Sequence, residues 1–162
     1  MMSTTISIRK ATIDDVSDLV RLRRMMFEAI GYTDPAALDA SDQAGAIYMR
    51  QALDAGDFHA WLAVTASDWP VACGGLLIDR HLPTPNNLSG KVAYILNVVT
   101  HPDHRRRGLA RKLMQTMLRW VNEQGITKVS LHASEDGASL YKMLGFKPAN
   151  EMQLDLAHES RR

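Results

Sequence analysis

An apolar run that leads through a short polar turn into an amphipathic helix constrains this chain more than any other feature. Residues 92–99 are apolar at nearly every position, which is typical of a strand covered on both faces. After the turn, apolar side chains recur at helical spacing from Leu109 through Leu113 and Met117 to Val121. Such a strand, followed directly by such a helix, predicts an α/β domain built around an internal strand.

Weaker patterns predict the other helices and strands, which lie before and after this strand and helix in the chain. Thr12 and Asp15 form a capping box before an amphipathic helix that ends at Gly31. Ser41 and Asp42 are the candidate cap of a second helix that reaches residue 53. Strands are predicted at residues 6–8, 58–64, 71–78, 129–133 and 152–156, and a short helix at residues 138–144.

The predicted elements follow the order β-α-α-β-β-β-α-β-α-β, which describes a mixed central β-sheet flanked by helices. No repeat, low-complexity tract or linker interrupts this order, so we expect a single domain over residues 1–162 with an ordered core of about 6–157. The strands at residues 58–64 and 71–78 predict a hairpin. Within it, the pair Gly74-Gly75 predicts a bulge or a close approach of the backbone.

Charge and cysteine content exclude several classes of protein. The chain has 162 residues, a net charge of +1 and 23% charged residues, so no overall field predicts nucleic acid or a membrane as the partner. Its single cysteine, Cys73, excludes a disulfide within the chain and fits a reducing compartment. No apolar block reads as a signal peptide or a membrane span. We therefore expect a cytoplasmic protein.

The turn before the long helix has the composition of an anion site. Three arginines at residues 105–107 supply positive charge, and Gly108 and Ala110 keep bulky side chains away from the backbone. Free N–H groups and the helix dipole favour negative charge at a helix start, and the combination suits a diphosphate. Two other phosphate sites are excluded, because the chain has neither G-x-x-x-x-G-K-[ST] nor G-x-G-x-x-G after a strand.

Two motifs in the second half of the chain resemble signatures of the GCN5-related N-acetyltransferases, the GNAT family. The first, Arg105-x-x-Gly108-x-Ala110, is similar to the family's Q/R-x-x-G-x-G/A. The second, A-S-L-Y-K-M-L-G-F at residues 138–146, is similar to the family's Leu-Tyr followed by Gly-Phe. The order of elements over nearly the whole chain also agrees with the family fold. The resemblance implies direct acetyl transfer from acetyl-CoA to a primary amine, without a metal.

The resemblance also implies roles for individual residues. Backbone N–H groups of the basic turn hold the coenzyme A diphosphate, and the end of the apolar strand pairs with the pantetheine arm. A bulge there turns the N–H of Val99 toward the thioester carbonyl, where it stabilises negative charge. Tyr141 protonates the leaving thiolate, since a phenol with a pKa near ~10 is protonated at neutral pH. The implied cofactor-binding residues are Asn97, Val98, Val99, Arg105, Arg106, Arg107, Gly108, Leu109, Ala110, Ser134 and Tyr141.

Two positions depart from the family pattern. Many members carry a glutamate general base eight positions before the proline, and here that position is Tyr94. A common asparagine that bonds the cofactor arm is Ser134 in this chain, which has a shorter reach. Because a lysine-like amine with a pKa near ~10.4 is mostly protonated at pH 7, the acceptor must lose a proton to a group that the sequence does not assign.

Several alternatives stay open at this stage. The missing glutamate allows a coenzyme A-binding module with weak or no catalysis. The segment 104–107 is a candidate phosphate patch for nucleic acid, against which the net charge argues. His101 and His104 form an H-x-x-H without an evident third zinc ligand. The acceptor can be a polyamine, an amino acid, an aminoglycoside-like compound or a protein N-terminus. A homodimer is expected only because members of the family often form dimers.

Overall fold

The computed structural model describes residues 5–159. Its strands are β1 (Ser7–Lys10), β2 (Phe58–Val64), β3 (Pro70–Arg80), β4 (Lys91–Thr100) and β5 (Val129–Leu131). Its α-helices are α1 (Val16–Ala29), α2 (Pro35–Ala55), α3 (Leu109–Glu123), α4 (Ala138–Met143) and α5 (Leu156–Glu159). Residues 1–4 and 160–162, which the sequence places outside the ordered core, lie outside the described residues. Within the described range, no helix is long and apolar enough to cross a bilayer.

The predicted capping box is confirmed at the start of α1. The Thr12 hydroxyl accepts from the N–H of Asp14, and the Asp15 carboxylate accepts from the N–H of Thr12 at 2.8 Å. The box closes a single 3-10 turn, Ile13–Asp15, which continues directly into α1. Reciprocal capping of this kind satisfies backbone donors that a helix start otherwise leaves without a partner.

The predicted start of α2 at Ser41 and Asp42 is wrong. The helix begins at Pro35, and the carboxylate of Asp34 accepts from the N–H of Ala36 at 3.0 Å. Proline fits the first helical position because its fixed φ suits a helix and its missing N–H would have no partner there. Both Ser41 and Asp42 therefore lie inside the helix.

The strands form one mixed sheet in the order β1-β2-β3-β4-β5. Neighbouring strands are antiparallel except for β4 and β5, which are parallel. The predicted hairpin of β2 and β3 is confirmed. As the apolar run predicts, β4 lies inside the sheet, between β3 and β5. Its parallel pairing with β5 requires a crossover, which α3 supplies.

Different helices cover the two faces of the sheet. Ala60 and Leu62 of β2 are fully buried in a core shared with α1 and α2. Trp61, between them in sequence, points to the opposite face and contacts Trp120 of α3, with ring centroids 5.5 Å apart. Each large apolar side chain buried in this way contributes about 1.5–3 kcal/mol.

The glycine pair in β3 allows close packing on both faces, as its position predicts. A Cβ on Gly74 would lie 2.6 Å from the end of the Met117 side chain in α3. A Cβ on Gly75 would lie 2.8 Å from the ring of Phe58 on the other face. The absence of both side chains lets α3 and the α1–α2 core approach the sheet closely.

The chain divides into two compact units, residues 1–132 and residues 133–162. The second unit contains α4 and α5, and the predicted strand at residues 152–156 is wrong. Met152 and Leu154 are 93% and 68% exposed, and Leu156 begins α5. Alternating apolar residues do not hold a strand by themselves, because the strand also needs a partner for its backbone N–H and C=O groups.

Candidate active site

An extra residue in β4 interrupts its pairing with β3. Along β3 the register advances by two residues, from Cys73 to Gly75, while along β4 it advances by three, between Val99 and Leu96. This is a β-bulge in β4. At its centre Asn97 has a φ of 54°, a left-handed conformation that asparagine tolerates better than most residues. The bulge lies in the part of β4 that, by the family resemblance, pairs with the cofactor arm.

Hydrogen bonds before the bulge fix the direction of the Asn97 N–H. The N–H of Ala93 donates to the carbonyl oxygen of Lys128 at 3.0 Å, on the β5 side of β4. Backbone N–H groups two residues apart point to the same side of a strand. The N–H of Asn97, four residues after Ala93, therefore points to the β5 side.

Hydrogen bonds after the bulge fix the directions of the next two N–H groups. The N–H of His101 donates to the carbonyl oxygen of Val71 at 2.8 Å, on the β3 side, so the N–H of Val99 also faces β3. The N–H of Val98 faces away from β3. The bulge thus turns two consecutive N–H groups, those of Asn97 and Val98, to the same edge of β4.

That edge of β4 is only partly paired. Its pairs with β5 are Ala93 with Val129, Tyr94 with Ser130 and Ile95 with Leu131, and β5 ends there. From Leu96 onward the pairs of β4 are with β3. The N–H groups of the bulge therefore lie beyond the last residue of β5, on an edge to which an extended ligand can add.

The buried thiol of Cys73 is bonded to the bulge. It donates to the carbonyl oxygen of Asn97 at 3.3 Å, and a backbone hydrogen bond from Val99 to the sulfur acts on it as well. Burial raises the pKa of the thiol to about 12, against the smaller lowering by Val99. Cys73 is therefore a neutral packing and hydrogen-bonding group, with no nucleophilic character.

The basic turn and the start of α3 have the backbone of an anion site. Arg106 has a φ of 61° and Gly108, the residue before α3, has a φ of 73°. Within the described residues, no side chain caps this helix start. No described atom lies within 4 Å of the place that a Cβ on Gly108 would take. The first N–H groups of α3 are consequently open to a ligand.

The side chains of this turn lie mainly in solvent. Residues 105–107 are exposed, and Nε of Arg105 donates to the carbonyl oxygen of Thr100 at 3.2 Å. Leu109 is an exception, since its side chain is buried in the core. Of the residues that the resemblance implies, Leu109 can therefore contribute only its backbone N–H.

The two histidines of the turn stabilise its backbone. Nδ1 of His101 accepts from the N–H of Asp103 at 3.1 Å, and the N–H of His104 donates to the carbonyl oxygen of His101 at 2.9 Å. In the part of the chain that the structure describes, no group of three or more histidine, cysteine or acidic side chains is arranged to hold a metal ion.

Tyr141 and Ser134 belong to the second unit. The Ser134 hydroxyl accepts from the N–H of Gly137 at 3.2 Å, just before α4. A Cβ on Gly137 would lie 2.7 Å from the Tyr141 ring, so glycine leaves the space that this ring occupies. Tyr141 is half-buried against Phe146, with ring centroids 6.0 Å apart, and burial raises the pKa of its phenol.

A cavity of about 310 Å³ lies between α1, α2 and the sheet. Its apolar lining consists of aliphatic and aromatic side chains, among them Met49, Phe58, Leu77 and Leu96. Asn97 also lines it, so the cavity reaches the bulge of β4. Within the first unit, the cavity and the unpaired edge of β4 therefore meet at Asn97.

The polar lining of this cavity comes from α1 and α2. It includes Arg23, Ser41 and Tyr48, and Arg23 is the single charged side chain among the described residues that line it. Sequence patterns did not indicate this group, because its members are distributed over two helices without a motif. The one local signal is Gly45, which lies inside α2 although glycine disfavours a helix interior.

Tyr94, which stands where many family members carry glutamate, is a half-buried residue of β4. It pairs with Leu77 on one side and with Ser130 on the other. No carboxylate lines the cavity within the described residues. The described residues that line the cavity therefore supply no carboxylate base.

Two solved structures have a similar fold. A crystal structure of a GCN5-related N-acetyltransferase from Ralstonia eutropha JMP134 has a TM-score of 0.86 and 32% identity, and covers 94% of this chain and 99% of its own. A predicted acetyltransferase with acetyl-CoA from Clostridium acetobutylicum has a TM-score of 0.87 and 26% identity, with 95% and 98% covered. These similarities confirm the fold class.

A relative found by sequence is also an N-acetyltransferase, but it matches a shorter segment of the chain. N-acetyltransferase Eis of Mycobacterium tuberculosis (strain ATCC 25177 / H37Ra) is 34% identical over 77 residues, which are 48% of this chain. The match spans only 19% of the length of that relative. Residues 19–146 match the model of the Acetyltransferase (GNAT) family. The chain therefore belongs to the GNAT family of acetyltransferases.

Proposed function

We propose that this protein transfers an acetyl group from acetyl-CoA to a primary amine by direct attack. The observation that carries the proposal is the bulge of β4, which turns the N–H groups of Asn97 and Val98 toward the edge that β5 leaves unpaired. Membership of the GNAT family and the acetyl-CoA of the Clostridium structure support the same donor.

The start of α3 is proposed to hold the diphosphate of coenzyme A. The residues present fit this group, because the helix start has no side-chain cap among the described residues and Gly108 leaves its backbone accessible. Backbone N–H groups of Gly108, Leu109 and Ala110 would donate to the phosphate oxygens. The exposed arginines at 105–107 would add charge. A hydrogen bond to a charged group of this kind contributes about 1.5–3 kcal/mol.

The oxyanion donor is proposed to be a backbone N–H of the bulge. The register supports Asn97 and Val98 for this role in place of Val99, whose N–H faces β3. Val99 would then act indirectly, by holding the bulge through Cys73. Loss of one such donor typically costs about 10²–10³ in kcat.

Tyr141 is proposed as the acid that protonates the departing thiolate. Burial raises the pKa of its phenol, so the phenol keeps its proton throughout the neutral range. Ser134, at the start of the turn before α4, is proposed to bond the cofactor arm. Its hydroxyl already accepts from Gly137 and has its own proton left to donate.

The proposed step balances without a metal or a covalent enzyme intermediate. Acetyl-CoA supplies an activated acetyl group. The amine nitrogen bonds to the acetyl carbon, the carbon–sulfur bond breaks, and the phenol of Tyr141 gives a proton to the sulfur. The resulting phenolate regains a proton from water. Because no carboxylate lines the cavity within the described residues, the proton of the amine is proposed to leave through water.

The same lack of a carboxylate favours a second candidate, a coenzyme A-binding module with weak or no catalysis. Tyr94 at the usual glutamate position is the specific observation behind it. The two candidates share the cofactor site and differ only in turnover. A small-molecule or peptide amine as partner, a cytoplasmic location and a homodimer stay predictions.

The test is amine-dependent release of free thiol from acetyl-CoA. The amines are L-phenylalanine, spermidine, an aminoglycoside and a short peptide with a free N-terminus, and mass spectrometry identifies the acetylated product. Turnover with any of them supports the transferase. Binding of acetyl-CoA without amine-dependent release supports the binding module, and a folded protein that does not bind acetyl-CoA contradicts both candidates.

A further inference from the structure

Arg23 brings a positive charge to the cavity beside the β4 bulge. Its Nη1 donates to the hydroxyl of Ser41 at 3.2 Å and to the carbonyl oxygen of the same residue at 3.4 Å. It forms no ion pair with any carboxylate whose side chain the structure describes. The guanidinium therefore retains donors and charge for a ligand.

The neighbouring arginine shows the contrast. Arg24 pairs with Asp39 at 2.6 Å, with Asp42 at 2.8 Å and with Glu28 at 3.0 Å, so its charge is neutralised inside the protein. Asp42 acts on Arg23 only through space, without an ion pair, and burial lowers the pKa of Arg23 more than Asp42 raises it. Of these two consecutive arginines of α1, Arg24 forms ion pairs with carboxylates and Arg23 does not.

The position of Arg23 is held by its surroundings. Its guanidinium carbon lies 4.6 Å from the centroid of the Phe27 ring, which is a cation–π distance. A Cβ on Gly45 would lie 2.7 Å from Nη1 of Arg23. Glycine in the middle of α2 costs about 1 kcal/mol relative to alanine, and here it provides the space that the guanidinium occupies.

The remainder of the lining defines what can lie beside this charge. Met49, Phe58, Leu77 and Leu96 present apolar surface, which favours an apolar or aromatic group. A planar guanidinium binds a carboxylate through two parallel hydrogen bonds. A polycation, in contrast, would bring like charge to Arg23 with no described carboxylate in the lining to offset it.

We propose that the acceptor is an amino acid with an apolar or aromatic side chain, whose carboxylate pairs with Arg23 while its amine faces the bulge at Asn97. This inference rests on the proposed acetyltransferase function and names its substrate class. In the step, the α-amino nitrogen bonds to the acetyl carbon as the carbon–sulfur bond breaks. The amine, already neutral when it attacks, loses one proton to water. The thiolate gains one from Tyr141, whose phenolate regains a proton from water.

The first experiment compares acceptors that differ in one group. L-Phenylalanine and phenethylamine share the ring and the amine, but phenethylamine lacks the carboxylate, and spermidine is a polycation. We expect kcat/KM for L-phenylalanine to exceed that for phenethylamine by about 10- to 100-fold, as expected for a charge-assisted pair. Equal rates, or a preference for spermidine, would overturn the inference and leave the transferase function standing.

Matched variants locate the effect. Arg23→Gln should remove the preference for L-phenylalanine over phenethylamine, mainly by raising KM. Arg50→Gln removes an exposed arginine from α2 and should leave the preference unchanged. Gly45→Ala should stabilise α2 by up to about 1 kcal/mol and still weaken the preference, because it displaces the guanidinium. A preference that survives Arg23→Gln in a folded protein would contradict the proposed pairing.

A binding measurement separates this inference from the proposed function. 3-Phenylpropanoate carries the ring and the carboxylate but no amine, so it can bind without being acetylated. Ligand-observed NMR should show binding to the wild type and to Arg50→Gln, and loss of binding in Arg23→Gln. No binding to the wild type would overturn the inference, whatever the turnover assay shows. Binding without any turnover would support the pairing and contradict the transferase.

Discussion

The Cys73 thiol donates a hydrogen bond to the carbonyl oxygen of Asn97 across 3.3 Å, which links β3 to the bulged residue of β4. The N–H and C=O groups of one peptide unit point in opposite directions, so this bond also directs the N–H of Val98 away from Cys73. A buried side chain in one strand therefore sets the direction of a proposed catalytic N–H in the next.

The raised pKa of Cys73 predicts a loss of stability at alkaline pH. The thiol titrates at about 12 in the folded protein and near ~8.5 in an unfolded chain. Between these values the unfolded chain loses a proton that the folded protein keeps, so stability falls as pH rises, by up to about 1.4 kcal/mol per pH unit. Urea unfolding of wild type and Cys73→Ser at pH ~7 and pH ~10 should show a steeper decline for the wild type. Parallel declines would refute the assignment.

The left-handed backbone at Asn97 predicts opposite effects for two substitutions. Asn97→Gly should retain the bulge and most of the activity, because glycine adopts a φ of 54° without strain. Asn97→Val should cost about 1–3 kcal/mol of stability and reduce kcat, since a β-branched residue is strained there. Thermal unfolding and thiol-release assays on both variants test this, and equal losses would show that the side chain matters more than the backbone.

The lowered pKa of Asp15 predicts a loss of stability at acidic pH. It accepts two hydrogen bonds from Arg9, each 2.9 Å, and two from Thr12, one from the N–H and one from the hydroxyl. The bonds from Arg9 lower its pKa most. The lowered pKa of Asp15 stabilises the folded protein fully at pH values above the unfolded pKa of an aspartate, near ~3.9. This stabilisation is lost as the pH falls through the lower pKa that Asp15 has in the folded protein. Asp15→Asn should therefore cost about 1–3 kcal/mol at neutral pH, with the difference from wild type shrinking in acid. The exposed neighbour Asp14→Asn is the control.

Tyr141→Phe should lower turnover without weakening cofactor binding. Loss of a general acid reduces kcat by about 10²–10⁴, whereas the ring and its contact with Phe146 stay in place. Because burial raises the pKa of the phenol, wild-type activity should show no fall from phenol ionisation below pH ~10. Unchanged kcat in Tyr141→Phe would assign the proton to water.

Sequence patterns predicted mainly those features that depend on residues close together in the chain. The capping box at Thr12, the apolar strand and the α3 stripe depend on neighbouring residues, and all three are confirmed. The start of α2 was wrong although its signal was local. Asp34-Pro35, an acidic cap followed by proline, opens this helix before the predicted cap at Ser41.

Features that depend on distant residues were not accessible to sequence patterns. The centre of the bulge at Asn97 follows from the register between β3 and β4, which no local pattern sets. The free charge of Arg23 depends on which acidic residues of α2 reach Arg24 instead. The alternation around Leu154 has the period of a strand, but no strand of the described chain pairs with it.

Calorimetric titration of wild type, Gly108→Glu and Gly125→Glu with acetyl-CoA tests whether the cofactor binds at the start of α3. Both glycines have a φ of 73° and no described atom within 4 Å of a Cβ, and they lie at opposite ends of α3. The backbone strain of the two substitutions is therefore matched. We expect micromolar binding by wild type and Gly125→Glu and none by Gly108→Glu. Equal binding by all three proteins would contradict a cofactor site at the start of α3.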